Sequence, residues 1–451
     1  MILLNVIPLN AVSIVSILIF AVTIFLVFRH PILRIPFTRR YVHVDYGLAP
    51  LLGACFLFLS QSIGIEAILR GILGTDSVKP YAIIIMILSL SYICVSLDFT
   101  GFFEYVSLRV ARASKGSGKR LFVYLFLLTS FLTLFTDNDI VILTMTLIIF
   151  YISRNAGLDP IPFLISQFFA VNILGMALYI GNPTNIIAAD AYGLSFKEFA
   201  RWMLIPSFSA AAVCLLLLWL IFRRRVSREF RTREISPEHA LKDRNGAIFG
   251  TTVLGLMILF MSLPLGIPLW MIALFFALIM FLFDLLTHRA NISKIVTRMP
   301  WKIAPFLAGL FIIVEGLAST GWTDLFASLL SKITGNLMAT VFGVCFLSWF
   351  ATGFMNNHPM SIFFVKTFQS SAFTVSHTSR LGATLALISG ANFGANFTLI
   401  GALAGIMWIN ILAAKGVTIS FSQFSKYGLL VMPIVIIVTC LAFIAELTLW
   451  A

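Results

Sequence analysis

The chain is a succession of apolar runs about 20 residues long, separated by short polar stretches, and no other feature constrains its fold as strongly. A helix of that length crosses a bilayer core of roughly 30 Å with every backbone N–H and C=O satisfied internally. The runs fall at 11–28, 47–65, 81–97, 161–182, 203–222, 246–264, 268–286, 303–320, 381–412 and 428–448. Two more stretches, 121–153 and 337–370, stay apolar for about 33 residues but are broken in the middle by polar clusters. Composition agrees: of 451 residues, 60% are hydrophobic and 11% charged, against roughly a quarter charged in soluble domains. An all-α polytopic membrane protein is expected, which removes most enzyme classes. The five Cys (Cys55, Cys94, Cys214, Cys345, Cys440) are dispersed through apolar runs without CxxC spacing, so neither disulfides nor a zinc site is expected. Residues 1–10 lack the basic start of a signal peptide, and 11–28 reads as a retained helix.

Charge sets the topology. The net charge of +13 is first an orientation signal, because Lys and Arg are retained on the cytoplasmic side, and nucleic acid is not an expected partner. If 121–153 and 337–370 are re-entrant hairpins returning to the side they left, about ten spans remain and both termini face outside. The inside loops then hold 24 of the 31 basic residues and the outside loops seven. Reading either stretch as a simple span inverts everything downstream and destroys the bias. The most basic stretch, 223–245, carries eight Lys and Arg. It reads as a cytoplasmic linker, either a topogenic signal alone or also a docking surface for a cytoplasmic partner or anionic lipid.

The linker separates two similar halves, 1–222 and 246–451. Thr100-Gly101-Phe102-Phe103-Glu104 returns as Thr320-Gly321-Trp322-Thr323-Asp324, Asp137-Asn138 as Asn356-Asn357, and Ser195-Phe196-Lys197-Glu198-Phe199 as Ser420-Phe421-Ser422-Gln423-Phe424. Each half carries a hairpin (121–153, 337–370) followed by an interrupted helix (161–190, 381–412). Since one half begins outside and the other inside, the expectation is two inverted-topology repeats, an arrangement typical of secondary transporters with a site near the membrane midplane.

Four polar clusters interrupt apolar surroundings: Thr136-Asp137-Asn138-Asp139, Gly181-Asn182-Pro183-Thr184-Asn185, Met355-Asn356-Asn357-His358-Pro359, and 390–398 with Asn392, Asn396 and Thr398. Backbone groups freed at membrane depth are tolerated only inside protein or against a polar cavity. Asn138, Asn182, Thr184, Asn185, Asn356, Asn357, Asn392, Asn396 and Thr398 are therefore candidate solute ligands; capping of the broken helices is the alternative for each. Asp137 and Asp139 either carry a coupling ion or cap the returning half-helix. Glu315 is a proton relay or the partner of a neighbouring helix, and His358 titrates near physiological pH or serves a turn. Glu66, Asp76, Asp98, Glu104 and Asp324 sit at span ends and read as interfacial. No nucleophile–base constellation, metal-ligand cluster or cofactor motif stands out, and an enzyme is not expected.

The Gly181–Asn185 run followed by Ala188-Ala189-Asp190-Ala191-Tyr192-Gly193-Leu194-Ser195-Phe196-Lys197-Glu198-Phe199 resembles the ArsB/NhaD branch of the ion transporter superfamily. Trp301-Lys302-Ile303-Ala304-Pro305-Phe306, the Met355–Pro359 tip, Ile400-Gly401-Ala402-Leu403-Ala404 through Trp408, and Lys415-Gly416-Val417-Thr418-Ile419-Ser420-Phe421 follow the order of ArsB-type arsenite efflux permeases. Departures are a missing Pro near Thr144-Met145-Thr146-Leu147, Asn392 where an acid is common, and Ala395 and Leu399 where Pro is common. The resemblance implies metalloid/proton antiport, with a moving unit that carries both hairpins against a scaffold. It implies a bacterial inner-membrane location. Arsenite and antimonite are mostly neutral trihydroxides near pH 7, and Asn, Thr and backbone groups suit them, whereas thiolate capture would need clustered Cys. Asn392 in place of an acid shifts expected proton carriage toward Asp137 and Asp139. A sodium/proton antiporter of the NhaD type is the alternative. A sodium-coupled carboxylate transporter ranks below it because neither tip carries Ser-Asn-Thr, and a channel is disfavoured by the opposed acidic hairpins. Whether a cytoplasmic ATPase subunit docks on the linker stays open.

Overall fold

The computed structural model describes residues 10–34, 41–75, 78–230, 237–287 and 292–450. Residues 1–9, Asp76 and the linker segment 231–236 lie outside the described residues. The described chain is helical almost throughout, apart from a short antiparallel ribbon of Ile32–Arg34 and Tyr41–His43. Among the described residues nine helices are long and apolar enough to cross a membrane.

Polar contacts sort the loops into two ends. At the linker end, Asp45 pairs with Lys302 (2.7 Å), Asp98 with Arg298 (2.8 Å), Arg112 with Glu238 (2.8 Å) and Asp159 with Arg225, while Lys415 Nζ donates to Tyr151 (2.7 Å). At the other end Glu315 pairs with Arg70, Ser370 donates to Asp324 (2.6 Å), and Trp322 Nε1 donates to the Ser13 carbonyl (2.7 Å). Among the described ion pairs none joins the two groups, which are the two loop sets that the basic bias separates.

Both long broken stretches fold back on themselves. Gly118–Phe135 and Asn138–Asn155 form the first hairpin, and one linker residue touches both of its ends. Gly118 N–H donates to the Arg228 carbonyl (3.2 Å), and Arg228 Nη1 donates to the Gly157 carbonyl (3.1 Å). Leu337–Met355 and Asn357–Gln369 form the second. Its ends meet where Ser331, just before it, donates to the Ala372 carbonyl (3.0 Å), just after it. The interrupted spans are likewise broken: Pro160–Leu174 then Pro183–Tyr192, and His377–Gly394 then Leu403–Ala414.

Two local features explain why the breaks fall where they do. Asp137 and Asn356 cap the returning hairpin arms, and Asn182 caps Pro183–Tyr192 with Pro at its first turn, where the missing N–H costs nothing. The matched turns at Gly101 (φ 81°) and Gly321 (φ 85°) both use the left-handed region, which is open to glycine without a Cβ penalty. The expected span 47–65 differs. Leu48–Leu59 ends after 12 residues, the chain turns through Gln61 (φ 55°), and Ile65–Leu73 runs on as a separate amphipathic helix. The polar run Ser60-Gln61-Ser62 favours hydrogen-bonded turns over a continued helix.

Candidate functional site

Each hairpin tip is hung on one helix break. In the first half the Asn138 N–H donates to the Gly181 carbonyl at 3.1 Å; in the second the Asn357 N–H donates to the Gly401 carbonyl at 3.0 Å. The backbone groups freed by the breaks thus find partners at the tips, as buried backbone must.

The two breaks are joined side chain to side chain. Asn172 Nδ2 donates to Asn396 Oδ1 (2.9 Å), and Asn396 Nδ2 to the Phe169 carbonyl (3.3 Å). Asn182 Nδ2 donates to Asn392 Oδ1 (2.9 Å), and Asn392 Nδ2 to Asn185 Oδ1 (3.0 Å). Asn185 Nδ2 donates to the carbonyls of Gly175 (2.7 Å) and Leu178 (2.9 Å), and Thr184 donates to Asn182 Oδ1 (3.0 Å). Asn138 joins through Nδ2 to Asn172 Oδ1 (3.3 Å), and Thr398 donates to the Gly353 carbonyl (2.6 Å). All these side chains are buried. Asn182, Thr184, Asn185, Asn392, Asn396 and Thr398 therefore have protein partners already.

Among the candidate site residues, the buried side-chain atoms left unpartnered lie at the tips. Buried atoms without a hydrogen bond include Asn138 Oδ1, Asn356 Nδ2, Asn357 Oδ1, His358 Nε2 and Ser361 Oγ. The histidine tautomer follows from its neighbours. The His358 N–H points at Asn356 Oδ1 (3.2 Å), which fixes that atom as an oxygen, so His358 Nδ1, also 3.2 Å from it, must be the donor. In the neutral ring, Nε2 is then an acceptor. Asn138 Oδ1, Asn357 Oδ1 and His358 Nε2 give three unpartnered acceptors, with the Asn356 amide as a donor.

The acids are differently disposed. Asp137 Oδ1 accepts from the amides of Asp139 (3.0 Å) and Ile140 (3.4 Å), so this side chain serves as the helix cap. Asp139 is half-buried and makes no side-chain hydrogen bond among the described residues. The Tyr46 ring meets Phe306 (5.8 Å), and Phe306 in turn meets the His358 ring (5.6 Å). Glu315 lies elsewhere, between Arg70 (2.9 Å) and Lys366 (2.6 Å).

Cavities approach from both ends. One of about 730 Å³ near the linker is lined by Asp98, Thr144, Tyr151, Lys242 and Arg298. Another of about 640 Å³ at the opposite end is lined by Lys79, Tyr179, Asp190 and Trp270. Neither lining includes the tip residues.

Sequence reasoning overlooked Asn172. It lies two residues before the end of Pro160–Leu174, flanked by the apolar Val171 and Ile173, so nothing adjacent flagged it. The signal was its spacing: Asn172 and Asn392 are 220 positions apart, as are Gly181 and Gly401, and each donates to the carbonyl four residues earlier, Phe168 and Ile388.

Paired hairpins hung on broken helices inside an apolar helical body define a membrane transporter. Residues 23–379 match the family model described as CitMHS, citrate transporter. The chain is 31% identical to an arsenical pump membrane protein of Escherichia coli (strain K12) over 78% of this chain and 83% of that one. It is 24% identical to a putative arsenical pump membrane protein of Bacillus subtilis (strain 168), covering 87% and 92%. The chain belongs to this ArsB/CitMHS family of membrane transporters. In fold it is similar to the YdaH transporter of Alcanivorax borkumensis, with a TM-score of 0.55, 13% identity and 98% of both chains covered.

Proposed function

We propose that the protein exports trivalent metalloid hydroxide, arsenite or antimonite, in exchange for protons by alternating access. The observation that carries this reading is the acceptor-rich set of unpartnered atoms at the tips. A neutral trihydroxide presents three O–H donors, which three buried acceptors match. A tricarboxylate such as citrate sets three acceptor-only carboxylates against a single hydroxyl donor and would leave most of these acceptors unpaired, at the cost of desolvating each. The four polar clusters also contain no Lys or Arg to neutralise such an anion. The names of the arsenical pump relatives support the same solute. A neutral solute gains nothing from the membrane potential, so uphill export needs a coupled ion, and the unpaired Asp139 carboxylate supplies a proton carrier.

The matched hairpins and breaks support two inverted repeats. The basic bias supports an inner-membrane orientation with the linker cytoplasmic and both termini outside. Cysteines introduced at Ser227 and Ser376 then label from opposite sides; labelling from one side overturns the orientation. Arg225 and Arg228 are engaged with the first half, which leaves the exposed Arg223, Arg224, Lys242 and Arg244 among the described linker residues as the surface for a cytoplasmic ATPase subunit.

A sodium/proton exchange reading has one observation in its favour: the same three acceptors suit a hard cation. Proton flux in proteoliposomes, compared for arsenite, antimonite, sodium and citrate, separates them. Arsenite-dependent alkalinisation or acidification opposite to solute movement is expected. Flux that follows sodium alone rejects metalloid exchange.

A further inference from the structure

The exchange reading places a proton at Asp139 on the first hairpin tip and a solute on acceptors of which two of three, Asn357 and His358, belong to the second, which raises the question of what makes one move with the other. The two tips do not touch by hydrogen bonds in the described residues; their connection runs through the breaks. Asn138 hangs on Gly181, Asn357 hangs on Gly401, and the breaks are bonded to each other by Asn172, Asn396, Asn182, Asn392 and Asn185. Every link is buried, and three side-chain bonds cross directly between the halves. In surroundings this apolar, an amide left without its partner is costly, so the links hold together or the halves separate.

We infer that the amides of Asn172, Asn182, Asn185, Asn392 and Asn396 are a cross-half rivet that makes the acid tip and the solute tip one moving body, and are not solute ligands. Coupling is then mechanical. With the rivet intact, Asp139 cannot change sides unless the second tip goes with it. With the rivet cut, the first hairpin can carry its proton across alone. Asn172 and Asn396 thus act as positioning residues through the tips they align.

The inference rests on the exchange reading, and its test uses full-length protein in proteoliposomes with Asn172→Leu, Asn396→Leu and the double variant. Each single change is expected to raise the proton leak measured without solute by roughly fivefold, the shift that one lost buried hydrogen bond permits. Maximal arsenite export falls while the half-saturating concentration stays at the wild-type value. Removing both partners together leaves fewer orphaned groups, so the double variant loses less than the sum of the singles. A raised half-saturation with an unchanged leak makes these residues solute ligands and overturns the rivet. Where a Leu variant fails to reach the membrane, Asn396→Ser carries the same readouts. If the wild type moves arsenite without protons, the exchange reading itself fails. The rivet is then decided by thermal unfolding of detergent-solubilised protein, where the same non-additivity supports it and strict additivity overturns it.

Discussion

The two hairpin tips solve one structural problem with different chemistry. Both must end one helix and begin another in buried surroundings. The first uses Asp137, whose carboxylate is taken up by the amides of its own next turn. The second uses Asn356, held at φ 72° and ψ 151°, a conformation that non-glycine residues rarely adopt. The acidic cap leaves Asp139 unbonded beside it, whereas the strained neutral cap orients His358 and leaves its own amide nitrogen unpartnered. A tip built from carboxylates is suited to carry a proton; a tip built from neutral amides and an imidazole is suited to hold an uncharged polyol.

The sharpest way to break this division is at the acids. Asp139→Asn keeps the shape and removes the titration, so pH-driven export is expected to be abolished while exchange of labelled arsenite down its own gradient survives. Asp137→Asn, with Asn also a good cap, is expected to leave coupling intact and to cost no more than about 1 kcal/mol of stability. If Asp137→Asn uncouples and Asp139→Asn does not, the roles are reversed. If both retain full pH-driven export, Glu315 and His358 become the next residues to replace.

On the second tip the effect is expected in affinity. Asn357→Ala and His358→Ala each remove one acceptor, a loss of about 1–3 kcal/mol, which raises the half-saturating arsenite concentration about tenfold. An unchanged half-saturation in both variants would place the solute elsewhere. A smaller effect comes from relieving the cap itself. Asn356→Gly removes backbone strain of about 1–3 kcal/mol and gives up the cap and some chain entropy, so stability rises by roughly 1 kcal/mol while export falls. A variant that is both less stable and fully active contradicts the strain argument.

The smallest expected effect lies at the linker end. Burial raises the Asp45 carboxyl, but the Lys302 ammonium and the amides of Leu48 and Gly47 outweigh it and hold it below its ordinary 3.8. A depressed carboxyl contributes stability above its unfolded value and loses it as pH falls through the folded one. Asp45→Asn is therefore expected to cost under about 1 kcal/mol at neutral pH, with the difference from wild type vanishing in acid below 3.8. A difference that persists there points to packing instead of charge.

The helical membrane architecture was legible because apolar length and basic bias are one-dimensional properties of the chain. The helix breaks were legible for a related reason: Asp137-Asn138 and Asn356-Asn357 stand out against apolar neighbours. What could not be read is which polar atoms are already partnered. Asn185 and Asn396, 211 positions apart, look equivalent in sequence, yet the structural register of 220 pairs Asn172 with Asn392. Hydrogen bonds between residues more than 200 positions apart, such as Asn182 to Asn392, depend on how the two halves dock. The same holds for Glu315, whose partners Arg70 and Lys366 come from two other helices.

The contact of Arg228 with both ends of the first hairpin has a consequence for biogenesis. Gly118 and Gly157 leave the ribosome long before Arg228 does, so the base of that hairpin stays open until the chain has passed the first half. The first hairpin is then the last part of its half to mature, although it precedes three further helices in the chain, Pro160–Leu174, Pro183–Tyr192 and Phe196–Phe222. Coexpressed fragments divided just after Phe222 leave the fastening on the wrong piece; division between Phe230 and Pro237 keeps it with the hairpin it closes.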